Sequence, residues 1–408
     1  MRSLEWLMRE QRSAGAARRL VRPLQEFLAT ETAGGALLLA AAAAAIAWAN
    51  APFGDTYFDF WAARLNIDLG AVAIDEALVS WVNDALMAVF FFVVGLEIKR
   101  ELTRGELAER RKAALPAIAA VGGMLAPALI FLAINLGGDG ERGWGIPMAT
   151  DIAFAVGVLT LAGARVPLSL KVFLLALAIV DDLGAIAVIA LFYTDDLALM
   201  WLAAAVALFA MTYVLARLGV RHIFIFAAIG LVAWLAVYES GIHATIAGVM
   251  MGLLIPSGDS GGEASVLMRL EHVLHPWTSF VIVPIFALAN AGIVLDGGIV
   301  RDAAASPVSL GVALGLMLGK PIGIVLFAFA AVKLGVASLP DGVRWPQVAA
   351  VGMVAGIGFT VSLFIAPLAF SDTGLVDEAK LGVLAGSMLI GIAGLVALRL
   401  LPPASGDR

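Results

Sequence analysis

Four charged residues fall where an apolar chain should carry none. Asp181 and Asp182 stand side by side in Ala178-Ile179-Val180-Asp181-Asp182-Leu183-Gly184, Asp151 follows Pro147-Met148-Ala149-Thr150, and Lys320 sits in Gly319-Lys320-Pro321. Each lies inside a run near the length, about 20 apolar residues, that an α-helix needs to cross a bilayer core. A charge at the centre of such a helix costs about 2.5–3.5 kcal/mol on insertion scales, so residues kept there face a partner or a water-filled cavity. A structural Asp–Lys ion pair would explain two of the four. It leaves three carboxylates against one ammonium, and a buried site cannot hold that excess without protons or a cation. Two competitors for one negative site are the physical basis of proton/cation exchange.

Adjacent residues on a helix point about 100° apart, so Asp181 and Asp182 can both line one cavity. They titrate as a coupled unit. Carboxylate and carbonyl oxygen suit a small hard cation, and the stretch offers no soft ligand. Lys320 has two compatible roles: a salt-bridge partner, or a counter-charge that releases a carboxylate when a cation arrives. The adjacent glycine gives it room and the proline frees a carbonyl. Two mid-span segments have unusual backbones, Pro147–Asp151 and Gly352–Thr360, the second with Gly352, Gly356 and Gly358. The glycines serve either close helix packing or a helix interruption. Interrupted helices in two halves of a transporter mark a binding site at mid-membrane, and Asp151 beside the Asp pair favours that reading.

The rest of the chain must position these groups. It has 408 residues, 62% hydrophobic and 14% charged, against about 25% charged in a soluble domain, and its mean hydropathy is +0.98. The apolar pattern predicts spans at 31–50, 77–98, 113–136, 145–163, 168–193, 197–217, 222–238, 242–256, 272–293, 308–332, 346–370 and 378–400. With alternating sides, twenty-one of the 26 Lys and Arg fall on one side and four on the other (Arg64, Arg142, Arg301 and Lys380), with Lys320 inside a span. The positive-inside rule then predicts both ends cytoplasmic. Residues 1–30 read as a basic cytoplasmic or interfacial segment before an uncleaved first helix, 31–400 as a single transmembrane domain, and 401–408 as a cytoplasmic tail. The 53–75 loop, with alternating Tyr57-Phe58-Asp59-Phe60 and Leu65-Asn66-Ile67-Asp68-Leu69, reads as a small periplasmic hairpin, a structureless loop being the alternative. The absence of cysteine excludes disulfides and thiolate chemistry.

Glu97 closes the second span, and Glu271, His272 and His275 open the ninth. A Glu/His cluster at a funnel mouth titrates near neutral pH, although flanking charge also anchors helix ends. His243 lies at the outer start of the eighth span.

Seven ordered strings resemble the NhaA-type sodium/proton antiporter family. They are Phe90–Leu102 (FFFVVGLEIKREL), Ala149–Ala155 (ATDIAFA), Ala178–Ile186 (AIVDDLGAI), Ser240–Thr245 (SGIHAT), Leu270–Trp277 (LEHVLHPW), Gly319-Lys320-Pro321 and Gly356–Thr360 (GIGFT). They stand in family order, and the resemblance covers nearly the whole chain, from about residue 20 to 395. The resemblance implies an all-α integral membrane protein of about 12 transmembrane helices, with inverted repeats and broken helices crossing at spans 4 and 11. It implies that Asp181 and Asp182 bind Na+ or Li+ and exchange protons, and that Asp151 and Lys320, with Thr150 nearby, compensate the dipoles of the broken helices. It implies pH sensing by Glu97, Glu271 and His272, with His243 affecting the response, and a homodimer formed through the hairpin. The segment before residue 20 is longer than the family needs, and nothing carries over to the loops at 257–265 and 296–306.

The resulting expectation is an electrogenic antiporter of the bacterial inner membrane serving pH and sodium homeostasis. Its partners are lipid and a second copy, with no enzyme activity, cofactor, nucleic acid or protein substrate. A monovalent cation channel would need a selectivity ring that the sequence does not show. An intramembrane aspartyl protease, with Asp181 opposite Asp151, lacks any substrate-gating feature.

Overall fold

A computed structural model describes residues 28, 30–68, 73–194, 197–258 and 265–401. The basic stretch before residue 28 and the tail after Leu401 lie outside the described residues. The chain is helical almost throughout. Among the described residues, eight helices are long and apolar enough to cross a membrane. They are α1 (Thr30–Ala49), α3 (Leu78–Arg104), α4 (Arg110–Asn135), α6 (Leu168–Phe192), α7 (Leu199–Arg217), α10 (Val266–Asn290), α12 (Pro307–Lys333) and α15 (Thr373–Leu400). Two further helix pairs bend sharply at short breaks. The 3-10 segment Glu141–Met148 meets α5 (Ile152–Ala162) at 40°, and α13 (Trp345–Ala355) meets α14 (Phe359–Ala369) at 48°. These are the fourth and eleventh apolar runs of the sequence.

The remaining apolar runs form α8 (Ile223–Tyr238) and α9 (Thr245–Leu254), of 16 and 10 residues. Both are shorter than a full crossing, so among the described residues the helices of full span length number eight, or up to ten if each bent pair is one span. The apolar residues on the outer faces (Leu191, Phe224, Leu231 and Leu326 among them) are exposed in the isolated chain. That is what a lipid-facing surface requires, because lipid offers no penalty to apolar side chains.

Outside the bundle, the loop after α1 differs from the alternation seen in the sequence. Tyr57–Phe60 is part of α2 (Asp55–Ala62) rather than a strand. The hairpin pairs β1 (Arg64–Asp68) with β2 (Ala73–Ala77), antiparallel, Asn66 opposite Asp75. The helix wins because Tyr57 and Trp61, one turn apart, are both buried and meet edge to face, with Tyr57 also packed edge to face on Trp48. Tyr57 Oη donates to the Ala289 and Leu288 carbonyls (2.9 and 3.0 Å) and accepts from Gly292 N. Burial pushes that phenol up to about 12, so it stays a donor. α2 is thus pinned to the end of α10. A short helix, α11 (Gly297–Ala305), leads into α12.

Glycine sets the closest helix contact. A Cβ on Gly323 of α12 would lie 2.0 Å from the Gly122 carbonyl oxygen of α4. The two helices therefore touch backbone to backbone, which only small residues permit. Three spans also carry a π-helical turn: Val82–Leu86 in α3, Thr278–Ile282 in α10 and Gly315–Gly319 in α12. Such turns concentrate at functional sites, and the third ends at Lys320.

Candidate functional site

Asp181 and Asp182 lie at the middle of α6, both buried. Lys320 reaches them from α12. The π-turn before it accommodates Pro321, which cannot donate to the helix ladder. The turn is pressed against α4, for a Cβ on Gly319 would lie 2.5 Å from Pro127 Cα. Fully buried Lys320 then donates from Nζ to Asp181 Oδ2 at 2.6 Å. The pair is balanced. Asp182 is not: its Oδ1 is buried and has no hydrogen-bond partner, and the same is true of Asp181 Oδ1.

The two bent pairs meet beside this pair. At a helix N-terminus the first N–H groups lack intrahelical partners, and one carboxylate serves two of these termini. Asp151 caps α5 by accepting from Phe154 N at 3.0 Å through Oδ1. Its Oδ2 accepts from Thr360 N at 3.0 Å and Thr360 Oγ1 at 2.6 Å, at the start of α14. Its own N–H donates to the Ile357 carbonyl. Thr150 Oγ1 donates to the Ala355 carbonyl at the end of α13, 2.9 Å away. Ser362 Oγ donates to the Ile146 carbonyl, and Gly358 N donates to Ser387 Oγ on α15. Backbone groups freed by the breaks are therefore satisfied inside protein, as the membrane interior demands.

The glycines in the second break are there for proximity. Neither Gly356 nor Gly358 has positive φ. A Cβ on Gly356 would lie 2.6 Å from the Leu316 carbonyl oxygen, and one on Gly358 would lie 2.3 Å from Ser362 Oγ. Packing and interruption, alternatives in the sequence, coexist here. Asp151→Ala should lower stability by about 2 kcal/mol, since each lost cap costs roughly 1, while Asp151→Asn keeps most of it. Thermal unfolding in detergent distinguishes the two variants.

A cavity of about 60 Å³ reaches Asp182 from one end of the bundle, lined also by Asp151, Thr360, Glu97, His275 and Glu31. In the other direction the path is packed. Phe91 and Phe286 pack at a tilt against buried Phe364, with ring centroids 5.4 and 6.2 Å from it. Beyond them His243 Nε2 meets the Tyr193 carbonyl at 2.6 Å, past the end of α6.

Comparison with known proteins supplies the family. A sequence profile described as Na+/H+ antiporter 1 matches residues 25–398. The chain belongs to that family. Its relatives include the Na(+)/H(+) antiporter NhaA of Proteus mirabilis, 50% identical over 93% of this chain and 97% of the relative. The Na(+)/H(+) antiporter NhaA 2 of Pseudomonas syringae is 53% identical over 92% of this chain and 94% of its own length. NhaA of Shewanella amazonensis is 48% identical over 94% and 99%. The match spans both bent pairs, the Asp-bearing helix and Lys320 of this antiporter-family chain.

Within this family member the structure brings together Asp151, Thr150, Asp181, Asp182, Lys320, Gly356 and Gly358. The contact Lys320 makes is with Asp181, whereas Asp151 sits at the half-helix starts. The four residues expected to sense pH do not form one group. Glu97 is buried in the cavity wall, and Glu271 pairs with Arg100, which also meets Glu101 at 3.2 Å. His272 is exposed on the outside of α10, and His243 is at the other end. The histidine in the cavity is His275, between Glu31 at 2.9 Å and Glu97 at 3.7 Å. Helical spacing held that signal: residues 271 and 275 share a face, whereas 272 points about 100° away.

Proposed function

We propose that this chain exchanges sodium or lithium for protons across the membrane, with Asp182 and Asp181 as the site for which the two compete. The observation that carries the reading is the contrast within the pair. Both are buried and each keeps one oxygen without a partner, but Asp181 is neutralised by Lys320, whereas Asp182 lines the cavity. An ionised carboxylate in that position is stable only with a cation or a proton, so each ligand displaces the other. Asp151 supplies the negative charge that two half-helix N-termini call for. The names of the relatives support sodium and proton as the ions.

Transport then proceeds by alternating access. The cavity serves one side, and the Phe91–Phe364–Phe286 packing must part to serve the other. More protons than sodium ions move per cycle, so the membrane potential, about 2.3 kcal/mol per charge per 100 mV, drives sodium export. The protein sits in the bacterial inner membrane with both ends cytoplasmic, as its basic residues favour. It pairs with a second copy through β1 and β2 and serves pH and sodium homeostasis. It is a carrier rather than an enzyme, and the exchange calls for no cofactor.

Purified protein in liposomes with an acidic interior tests this. External sodium should alkalinise the interior, and external choline should not. A response equal for both ions, or none from folded protein, overturns the reading.

A further inference from the structure

The two halves of the first bent pair are built differently. One half, α5, is an α-helix capped by Asp151. The other, Glu141–Met148, stays 3-10 for 8 residues, although such runs beyond about 3–4 residues are uncommon because their hydrogen-bond geometry is poor. A segment of this kind needs support from its neighbours. One support is α14, through Ser362 Oγ and the Ile146 carbonyl. Another is α6. Tyr193, the C-cap residue that follows Phe192, is buried and turns its phenol into the segment.

Tyr193 Oη accepts from Gly145 N at 3.1 Å and donates to the Arg142 carbonyl at 2.8 Å. Residues 142 and 145 are the i and i+3 partners that a 3-10 turn joins directly. One hydroxyl thus binds both members of one turn. Glycine is what lets it in: a Cβ on Gly145 would lie 2.6 Å from Tyr193 Oη. Trp144 packs alongside, its ring 6.4 Å from that of Tyr193 and 5.0 Å from that of Phe192. The phenol therefore fixes this half-helix to the helix that carries Asp181 and Asp182.

Tyr193 also has a tie in the opposite direction. Its carbonyl, one of the orphan acceptors at a helix C-terminus, meets His243 Nε2 at 2.6 Å. Nearby, α6 faces α3 and α9 across an apolar seam too narrow for water, lined by Phe91, Ile186, Ile189, Thr245, Ile246 and Val249. No such gap separates α3 from α9, for a Cβ on Gly248 of α9 would lie 2.1 Å from the Ala88 carbonyl oxygen of α3. The end of the bundle away from the cavity opens when α6 parts from α3 and α9 along this seam, and the His243 contact breaks with it. The phenol contact does not cross the seam.

We infer that Tyr193 is a positioning residue of the exchange: its phenol, seated on Gly145, makes the 3-10 half-helix travel with α6 when the closed end opens, and so keeps Thr150 and Asp151 in register with the Asp pair. The inference rests on the alternating-access reading above and adds two residues to it. While the closed end stays shut, His243 and the packing along the seam also hold α6, so ion binding from the cavity does not depend on the phenol. Once the seam parts, the phenol supplies the hydrogen bonds that keep the end of α6 on the bent pair. Its loss therefore slows turnover and spares binding.

Full-length protein tests this with two readings, sodium-driven exchange in liposomes and sodium-induced proton release in detergent. Tyr193→Phe should leave the sodium concentration for half-maximal proton release unchanged. It should lower kcat about tenfold, which is what one buried hydrogen bond is worth. Gly145→Ala, whose added methyl displaces the phenol, should do the same, and it serves as the readout if the phenylalanine variant does not fold. The double variant should be no slower than the slower single one, since both changes remove one contact. An unchanged kcat in folded Tyr193→Phe overturns the inference. So does a loss of sodium affinity as large as the loss of kcat, which would make Tyr193 only a prop of the resting site, and so do losses that multiply in the double variant. Wild-type protein without sodium-driven exchange would instead sink the reading on which the inference rests.

Discussion

Asp182→Asn abolishes sodium-driven proton movement and leaves a folded protein. The substitution keeps the shape and removes the charge. Asparagine can neither take up the transported proton nor neutralise a cation. Breaking a buried charge pair costs roughly 3–5 kcal/mol, which is at least a hundredfold in affinity for the ion. Folding is spared because the carboxylate is poorly compensated in the empty protein: its Oδ1 has no donor, and it stands next to the like charge of Asp181. The expected readings are an unchanged or higher melting temperature in detergent and no alkalinisation in liposomes. Retained exchange in this variant would remove Asp182 from the mechanism.

Lys320→Met shows the opposite profile, with the fold suffering first. Both members of the Lys320–Asp181 pair are fully buried and 139 residues apart in sequence. Removing the ammonium leaves Asp181 ionised without a partner and should cost about 3–5 kcal/mol, visible as a large drop in melting temperature. The double variant Lys320→Met/Asp181→Leu removes both charges of the buried pair and should recover most of the loss, since apolar replacement of a buried pair is often neutral. A single variant that melts within a degree or two of wild type would show that Lys320 is not the charge that holds Asp181.

These residues were legible because hydropathy makes a lone charge conspicuous. Asp151, Asp181, Asp182 and Lys320 stand out in apolar runs before any geometry is known. Their pairing was not legible. Nothing in the sequence tells Lys320 to prefer Asp181 over Asp182 or a helix end; α12 is directed there by the Gly319–Pro127 contact, a feature of three dimensions. The breaks at Asp151 and Gly358 were readable from proline, glycine and acid in short runs, but not the shared cap by which Asp151 joins them. At the cavity mouth, the Glu/His pattern held both His272 and His275 and the family resemblance singled out His272, whereas helical phase favours His275, and Glu31 was hidden at the edge of the first span. Alternation in Tyr57–Phe60 suggested a strand, and aromatic packing one turn apart made it a helix.

The central claim, that a proton and a sodium ion displace one another at Asp182, can be measured without transport. Purified protein in weakly buffered detergent solution is given sodium chloride, and the released protons are followed with a pH dye against choline chloride. Wild type should release protons saturably with sodium and with lithium, and Asp182→Asn should release none. Sodium binding without proton release from the wild type, or equal release from both proteins, would contradict the account.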